Sequence, residues 1–168
     1  MKSGLTDLHR NEPILSLLIP AIPSSAGMPA KTLLVVDDDP LVRGLETEVL
    51  RLQGYTVLEA GSAAAALRVA ASTPTIDLLI TDLLMPEADG LDLTRRFRAL
   101  HPTTPVLVIS GSLPLLHVRT KLDLNRFEFL PKPFHLDELL HKVHVLLEAP
   151  FLSRGDICGV ATHLENRA

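Results

Sequence analysis

From Lys31 onward the chain alternates two kinds of segment, and this alternation constrains the fold more than any other feature. A continuous apolar run at residues 32–37 (TLLVVD) has the texture of a strand buried on both faces, and further short strands are read at 55–60, 77–82 (DLLITD), 106–110 (VLVIS) and, more briefly, 128–130. Between them lie segments of helical period. Pro40 suits a first helical turn, after which Leu41, Leu45, Val49 and Leu52 recur at helical spacing until Gly54 stops them. Ser62 can cap an alanine-rich helix that runs to Thr73 and ends at Pro74. A Pro/Gly loop at 85–90 leads into a helix face of Leu91, Thr94, Phe97 and Leu100, closed by Pro102 and Pro105. Residues 113–124 are a weaker helix candidate. Leu136, Leu139, Leu140, Val143, Leu146 and Leu147 make the last helix strongly amphipathic. Strands alternating with helices imply βαβ units, hence an α/β fold: a doubly wound, five-stranded parallel sheet with helices on both faces.

Composition narrows the classes. At 168 residues, 46% hydrophobic and 21% charged, the chain has room for one well-cored domain and two tails. Residues 1–30, with Pro13, Pro20, Pro23 and Pro29 around Ser24, Ser25 and Gly27, read as a flexible leader or linker. The domain is expected at 31–149 and a tail at 150–168. A net charge of −4 argues against a direct electrostatic grip on nucleic acid. The single cysteine, Cys158, excludes an internal disulfide. The apolar stretch 14–22 is broken by Pro20 and follows Asp7 and Glu12, the wrong charge for a signal peptide, and it is too short to cross a bilayer. A cytoplasmic home with no membrane contact is expected. Met28 is an alternative start.

Open parallel sheets place functional groups in loops at the carboxyl ends of their strands, and the polar residues cluster there. Asp37, Asp38 and Asp39 follow strand one, Asp82 ends strand three, Ser110 ends strand four, and Lys132 follows strand five. Carboxylates gathered this way repel by roughly 1–4 kcal/mol per close pair at effective dielectrics of 80 to 20. Such clusters persist when a cation binds, and all-oxygen ligands select a hard ion, Mg²⁺ or Ca²⁺. With that ion and an ammonium present, Asp82 can serve as a nucleophile toward a phosphoryl group. Each residue also has an ordinary reading: Asp39 before Pro40 as a helix cap, Asp82 as turn chemistry, Ser110-Gly111-Ser112 as a turn and cap, Lys132 as a solvated lysine. Their joint occurrence at successive strand ends favours a site.

Four blocks in order, LVVDDDP (34–40), LLITDLLMPEADGLDL (78–93), VLVISG (106–111) and FLPKPF (129–134), resemble the signature blocks of response-regulator receiver domains. The similarity covers about residues 31–149 and implies a flavodoxin-like sheet of strand order 2-1-3-4-5. By position it implies Asp82 as the phosphoacceptor. Mg²⁺ would be ligated by Asp38, Asp82 and the main-chain carbonyl of Leu84, with Asp37 acting mainly through water. Ser110 matches the switch hydroxyl, Lys132 the phosphate-pairing lysine, and Phe129 the rotating aromatic. The partners implied are a sensor histidine kinase or histidine phosphotransfer protein and a downstream protein, with the chain itself a monomer or weak dimer. Such a protein catalyses only its own phosphorylation and dephosphorylation. Residues 150–168 are too few for a DNA-binding fold, so a stand-alone receiver without an output domain is expected.

Departures from the family pattern carry their own expectations. No Gly-Ala pair precedes strand five, so the fourth helix is expected to be short or irregular, and Leu84 cannot position a hydrolytic water, which predicts slow autodephosphorylation. LPKPFHLDELLHKV is similar to receivers appended to hybrid sensor kinases. Of the seven histidines, His135, His141 and His144 are expected on the surface of the last helix, while His101 and His117 have no partner legible in the sequence. Two rivals differ in class. A phosphatase using an aspartyl-phosphate would want a second acid two residues after Asp82, where Leu84 stands; a constitutive binding module would not need the acidic residues and Lys132 intact.

Overall fold

A computed structural model describes residues 30–85, 88–111 and 127–148. The leader, the tail and the weak helix candidate at 113–124 lie outside the described residues.

The elements, in chain order, are β1 (Thr32–Val36), α1 (Pro40–Leu52), β2 (Thr56–Ala60), α2 (Ala63–Ser72), β3 (Leu78–Asp82), the two-residue β4 (Leu84–Met85) and β5 (Ala88–Asp89), α3 (Gly90–Leu100), β6 (Val106–Ser110), β7 (Phe127–Pro131) and α4 (Leu136–Glu148). The main sheet is parallel, in the order β2-β1-β3-β6-β7. With the small antiparallel β4–β5 pair set aside, this is the expected order 2-1-3-4-5.

Side chains alternate across each strand, so each run feeds two cores. Leu34, Val36, Leu79, Val106 and Val108 pack with Ala66 and Ala70 of α2 and Leu93 and Phe97 of α3. Leu33, Val35, Leu78, Ile80, Leu107 and Ile109 pack on the other face with Val49 and Leu50 of α1 and Leu139, Val143 and Leu146 of α4. Buried residues three and four apart hold each helix to the sheet.

Local chemistry sets the ends of the helices. Asp39 caps α1, its Oδ1 accepting from the main-chain NH of Leu41 at 2.8 Å, and Pro40 opens the first turn. Gly54, at φ +87°, takes the left-handed turn that ends α1. Ser62 Oγ accepts from Ala65 NH at 3.2 Å and caps α2. At the amino edge of the sheet, Asp77 Oδ2 accepts from Thr32 NH at 2.8 Å and tethers β1 to the start of β3. Strand five is longer than expected, spanning Phe127–Pro131.

One expected helix face is turned. Leu41 and Leu45 are 83% and 47% exposed, whereas α1 buries Glu46, Thr47, Val49 and Leu50. The helix begins at the carboxyl rim, where Asp39 and Arg43 tie its start to Asp37. The stripe that meets β1 and β2 runs through positions 46, 49 and 50, and of the expected series it keeps Val49.

Candidate functional site

The carboxyl rim of the sheet gathers side chains from three strands, two central and one at the edge. Asp37 and Asp38 leave β1, Asp82 ends the neighbouring β3, and Lys132 follows β7. One carboxylate oxygen from each of Asp37, Asp38 and Asp82 lies within 4.8 Å of the others. Asp37 is buried, Asp82 half-buried and Asp38 exposed, so the cluster runs from the core to the surface.

Lys132 crosses the rim. Its Nζ donates to Asp82 Oδ2 at 2.5 Å and to Asp37 Oδ2 at 3.1 Å. Burial pulls the ammonium pKa down, but the hydrogen bonds and charges of Asp82 and Asp37 outweigh that and raise it above the ordinary lysine value. The lysine is thus a fixed cation. The remaining oxygens of the two acids are oriented by the backbone: Asp37 Oδ1 accepts from Asp39 NH at 2.8 Å, and Asp82 Oδ1 accepts from Leu84 NH at 2.9 Å. The turn reading of Asp82 is therefore correct as far as it goes. The same bond that makes the turn also aims the carboxylate.

Ser110 is buried at the tip of β6, the strand beside β3, and its carbonyl accepts from Lys132 NH at 2.8 Å. That bond ties the serine and lysine loops together. The main chain of Leu84 lies at the rim, with its side chain 61% exposed. Phe129 is half-buried in β7 and packs edge-on against Phe127 at 4.9 Å.

The donor set fits a hard divalent cation. Three carboxylates offer only oxygen, and metal–oxygen bonds of roughly 2–2.5 Å allow one ion to reach all three. Each oxygen already bonded to a donor keeps a second lone pair for an ion.

Three residues of the site were not legible as such in the sequence. Glu46 is only 2% exposed, its Oε1 has no hydrogen-bond partner among the described residues, and its pKa is raised to about 7. Burial is the main cause; Asp37 and Asp82 push in the same direction and Lys132 opposes them. It lies three and four residues before Val49 and Leu50, so a buried helix face centred on those two includes it. Arg43 donates from Nη1 to the main-chain carbonyl of Asp37 at 2.5 Å and is flanked by Glu59, with Nε–Oε2 at 3.7 Å. Gly90 opens α3 directly against the phosphoacceptor candidate: a Cβ there would stand 2.4 Å from the carbonyl oxygen of Asp82 and 2.9 Å from Leu83 Cα. The loop reading recognised that glycine only as a turn residue.

The described histidines stay outside the cluster. His101 has partners after all: it stacks on Phe97 at 4.9 Å, with Nε2 3.0 Å from the carbonyl of Ala70, joining α2 to α3. His135 NH donates to Glu138 Oε2 at 2.8 Å at the head of α4, and His144 lies 3.2 Å from Glu148. His141 is exposed on the same helix, while His117 lies outside the described residues.

The response regulator receiver domain model matches residues 33–144. Among curated proteins, the transcriptional regulator NtrC of Azospirillum brasilense is 37% identical over 122 residues, covering 73% of this chain and 25% of that protein. Response regulator MprA of Mycobacterium ulcerans is 38% identical over 115 residues, covering 68% of this chain and 49% of MprA. The chain thus spans a quarter to a half of these relatives. Among solved structures, the receiver domain of the hybrid histidine kinase CckA aligns with a TM-score of 0.60 at 36% identity, over 70% of this chain and 99% of that one. Among the described residues no helix is long and apolar enough to cross a membrane. With the family's fold, strand order and motif blocks all in place, the chain belongs to the response regulator receiver domains of two-component signalling.

Proposed function

We propose that Asp82 accepts a phosphoryl group from the phosphohistidine of a sensor histidine kinase or a histidine phosphotransfer protein, and that the domain thereby switches a protein-binding surface. The observation that carries this reading is the rim itself: three carboxylates within 4.8 Å, with Lys132 bonded to two of them.

In this reading Asp37, Asp38, Asp82 and the main-chain carbonyl of Leu84 hold Mg²⁺. The ion supplies charge neutralisation for the transferring phosphoryl oxygens. The chain's own residues do the rest. A carboxylate oxygen of Asp82 forms a bond to phosphorus as the donor's N–P bond breaks, and the electron pair stays on the imidazole nitrogen of the donor. The NH of Leu84 holds Asp82 Oδ1 in place, which restricts the carboxylate to one orientation before attack. Lys132 keeps its proton throughout and moves from carboxylate partner to phosphoryl partner, and Ser110 donates its hydroxyl to a phosphoryl oxygen. The added charge at the rim then biases the neighbouring loops toward a second arrangement that a downstream protein recognises.

The reading is of a phosphoacceptor and not of an enzyme with an external substrate. Leu84 supplies no acid where an aspartyl-phosphate phosphatase needs one. The test is incubation with acetyl phosphate or a phosphorylated histidine kinase, with and without Mg²⁺, followed by intact-mass spectrometry of wild type and Asp82→Asn. Labelling that needs Mg²⁺ and vanishes in Asp82→Asn is expected. Equal labelling of the two proteins would overturn the assignment.

A further inference from the structure

A buried carboxyl without a donor is costly, because its charged form loses water and gains nothing in return. Glu46 is such a group: it is 2% exposed, and its Oε1 has no partner among the described residues. A leucine would fill the same stripe of α1 beside Val49 and Leu50 without that penalty. The charges that act on Glu46 are those of the rim, namely Asp37, Lys132 and Asp82. Counting Glu46, the acids at the rim are Asp37, Asp38, Asp82 and itself, against Lys132 and Arg43, and Arg43 is shared with Glu59. A divalent cation would correct that imbalance.

We infer that Glu46 is a fourth carboxyl of the divalent-cation site, acting from the core side through its charge and not as a direct ligand. The inference rests on the reading of the rim as a Mg²⁺ site and adds to it a residue that tunes the ion's affinity. Glu46 lies one turn along α1 from Arg43, which holds the Asp37 carbonyl, and it is not among the three acids whose oxygens converge, so it strengthens the field felt by an ion without occupying a coordination position. The chain thus carries a destabilising charge in its metal-free form, and the ion offsets it.

The test is isothermal titration of Mg²⁺ into metal-free wild type, Glu46→Gln, Glu46→Leu and Thr47→Val at pH 8. Thr47 is the matched control: it is the next residue on α1, also buried, and its Oγ1 also has no partner among the described residues. Removing one unit charge near a divalent ion, at a dielectric between protein and water, should raise the Mg²⁺ dissociation constant about tenfold in both Glu46 variants. Thr47→Val should leave it unchanged. Thermal melts with and without Mg²⁺ give a second readout, in which the upward shift caused by Mg²⁺ should shrink in the Glu46 variants. Wild-type affinity in Glu46→Gln and Glu46→Leu would overturn the inference while leaving the Mg²⁺ site standing. Equal weakening by Thr47→Val would also overturn it, because packing would then be the cause. Failure of wild type to bind Mg²⁺ would overturn the site itself, and the inference with it.

Discussion

Replacing Glu46 with glutamine in metal-free protein removes one titrating proton from the core while keeping the shape of the side chain. In the folded chain the carboxyl titrates at about 7, against an ordinary value of 4.5. The folded state therefore holds this proton more tightly than the unfolded state. Stability from this group is complete at acid pH, falls as pH rises from about 4.5 to about 7, and is level above that. A gap of about 2.5 units at 1.36 kcal/mol per unit gives a loss of about 3 kcal/mol across the window. That is a large share of a typical domain's 5–15 kcal/mol. The assay is urea denaturation in EDTA at steps from pH 5 to pH 8, on wild type and on Glu46→Gln. Other groups contribute equally to both proteins, so the difference between the two curves isolates Glu46. Wild type should lose about 2 kcal/mol relative to the variant between pH 5 and pH 8, since part of the window lies below pH 5. Curves that stay parallel would show that Glu46 titrates at its ordinary value, and the account of a buried, unpaired acid would be wrong.

Three further outcomes follow from the same geometry. Lys132→Met leaves Asp37 and Asp82 facing one another with no ammonium between them; unfolding in urea at pH 7 should show a loss of about 1–3 kcal/mol that Mg²⁺ restores. Gly90→Ala puts a methyl group 2.4 Å from the carbonyl oxygen of Asp82; the loop must shift, lowering stability by about 2 kcal/mol and slowing labelling by acetyl phosphate, both measurable on one preparation. Leu84, exposed and apolar two residues past Asp82, offers no group to orient water. Phospho-Asp82 should accordingly decay slowly, and Leu84→Asn should shorten its lifetime; a wild-type half-life of seconds, unchanged in the variant, would refute this.

The sheet was legible because each strand announces itself twice, by an apolar run and by the cap or turn that follows. TLLVVD followed by Asp39-Pro40 specifies both a buried strand and the helix start beyond it, and the structure has both. The rim was legible for a related reason: a parallel sheet brings its carboxyl ends to one edge, so acids placed at strand ends must meet. Contacts set by the rotation of a helix were not legible. Leu41, Leu45, Val49 and Leu52 satisfy helical spacing as well as Glu46, Val49 and Leu50 do, and spacing alone does not say which stripe meets the sheet. His101 was opaque for the opposite reason: its partners, Phe97 on the helix that ends just before it and the carbonyl of Ala70 on another, are invisible without the packing of α2 on α3.

The rotation of α1 links the error in reading the fold to the chemistry of the site. Hydrophobic patterning favours a helix that buries leucine and exposes glutamate, and α1 does the reverse at three positions, exposing Leu41 and Leu45 while burying Glu46. Local rules fail most often where another demand overrides them. Here the helix is fixed from its start: Asp39 caps it while donating its own NH to Asp37, and Arg43 in the first turn holds the Asp37 carbonyl. Those contacts set the rotation of the helix by reference to the acidic pair. With position 43 turned to the rim, position 46 must face the sheet. A variant that frees the helix from that anchor, Arg43→Ala, should therefore weaken Mg²⁺ binding along with stability. If it weakened stability alone, the rotation would owe nothing to the site.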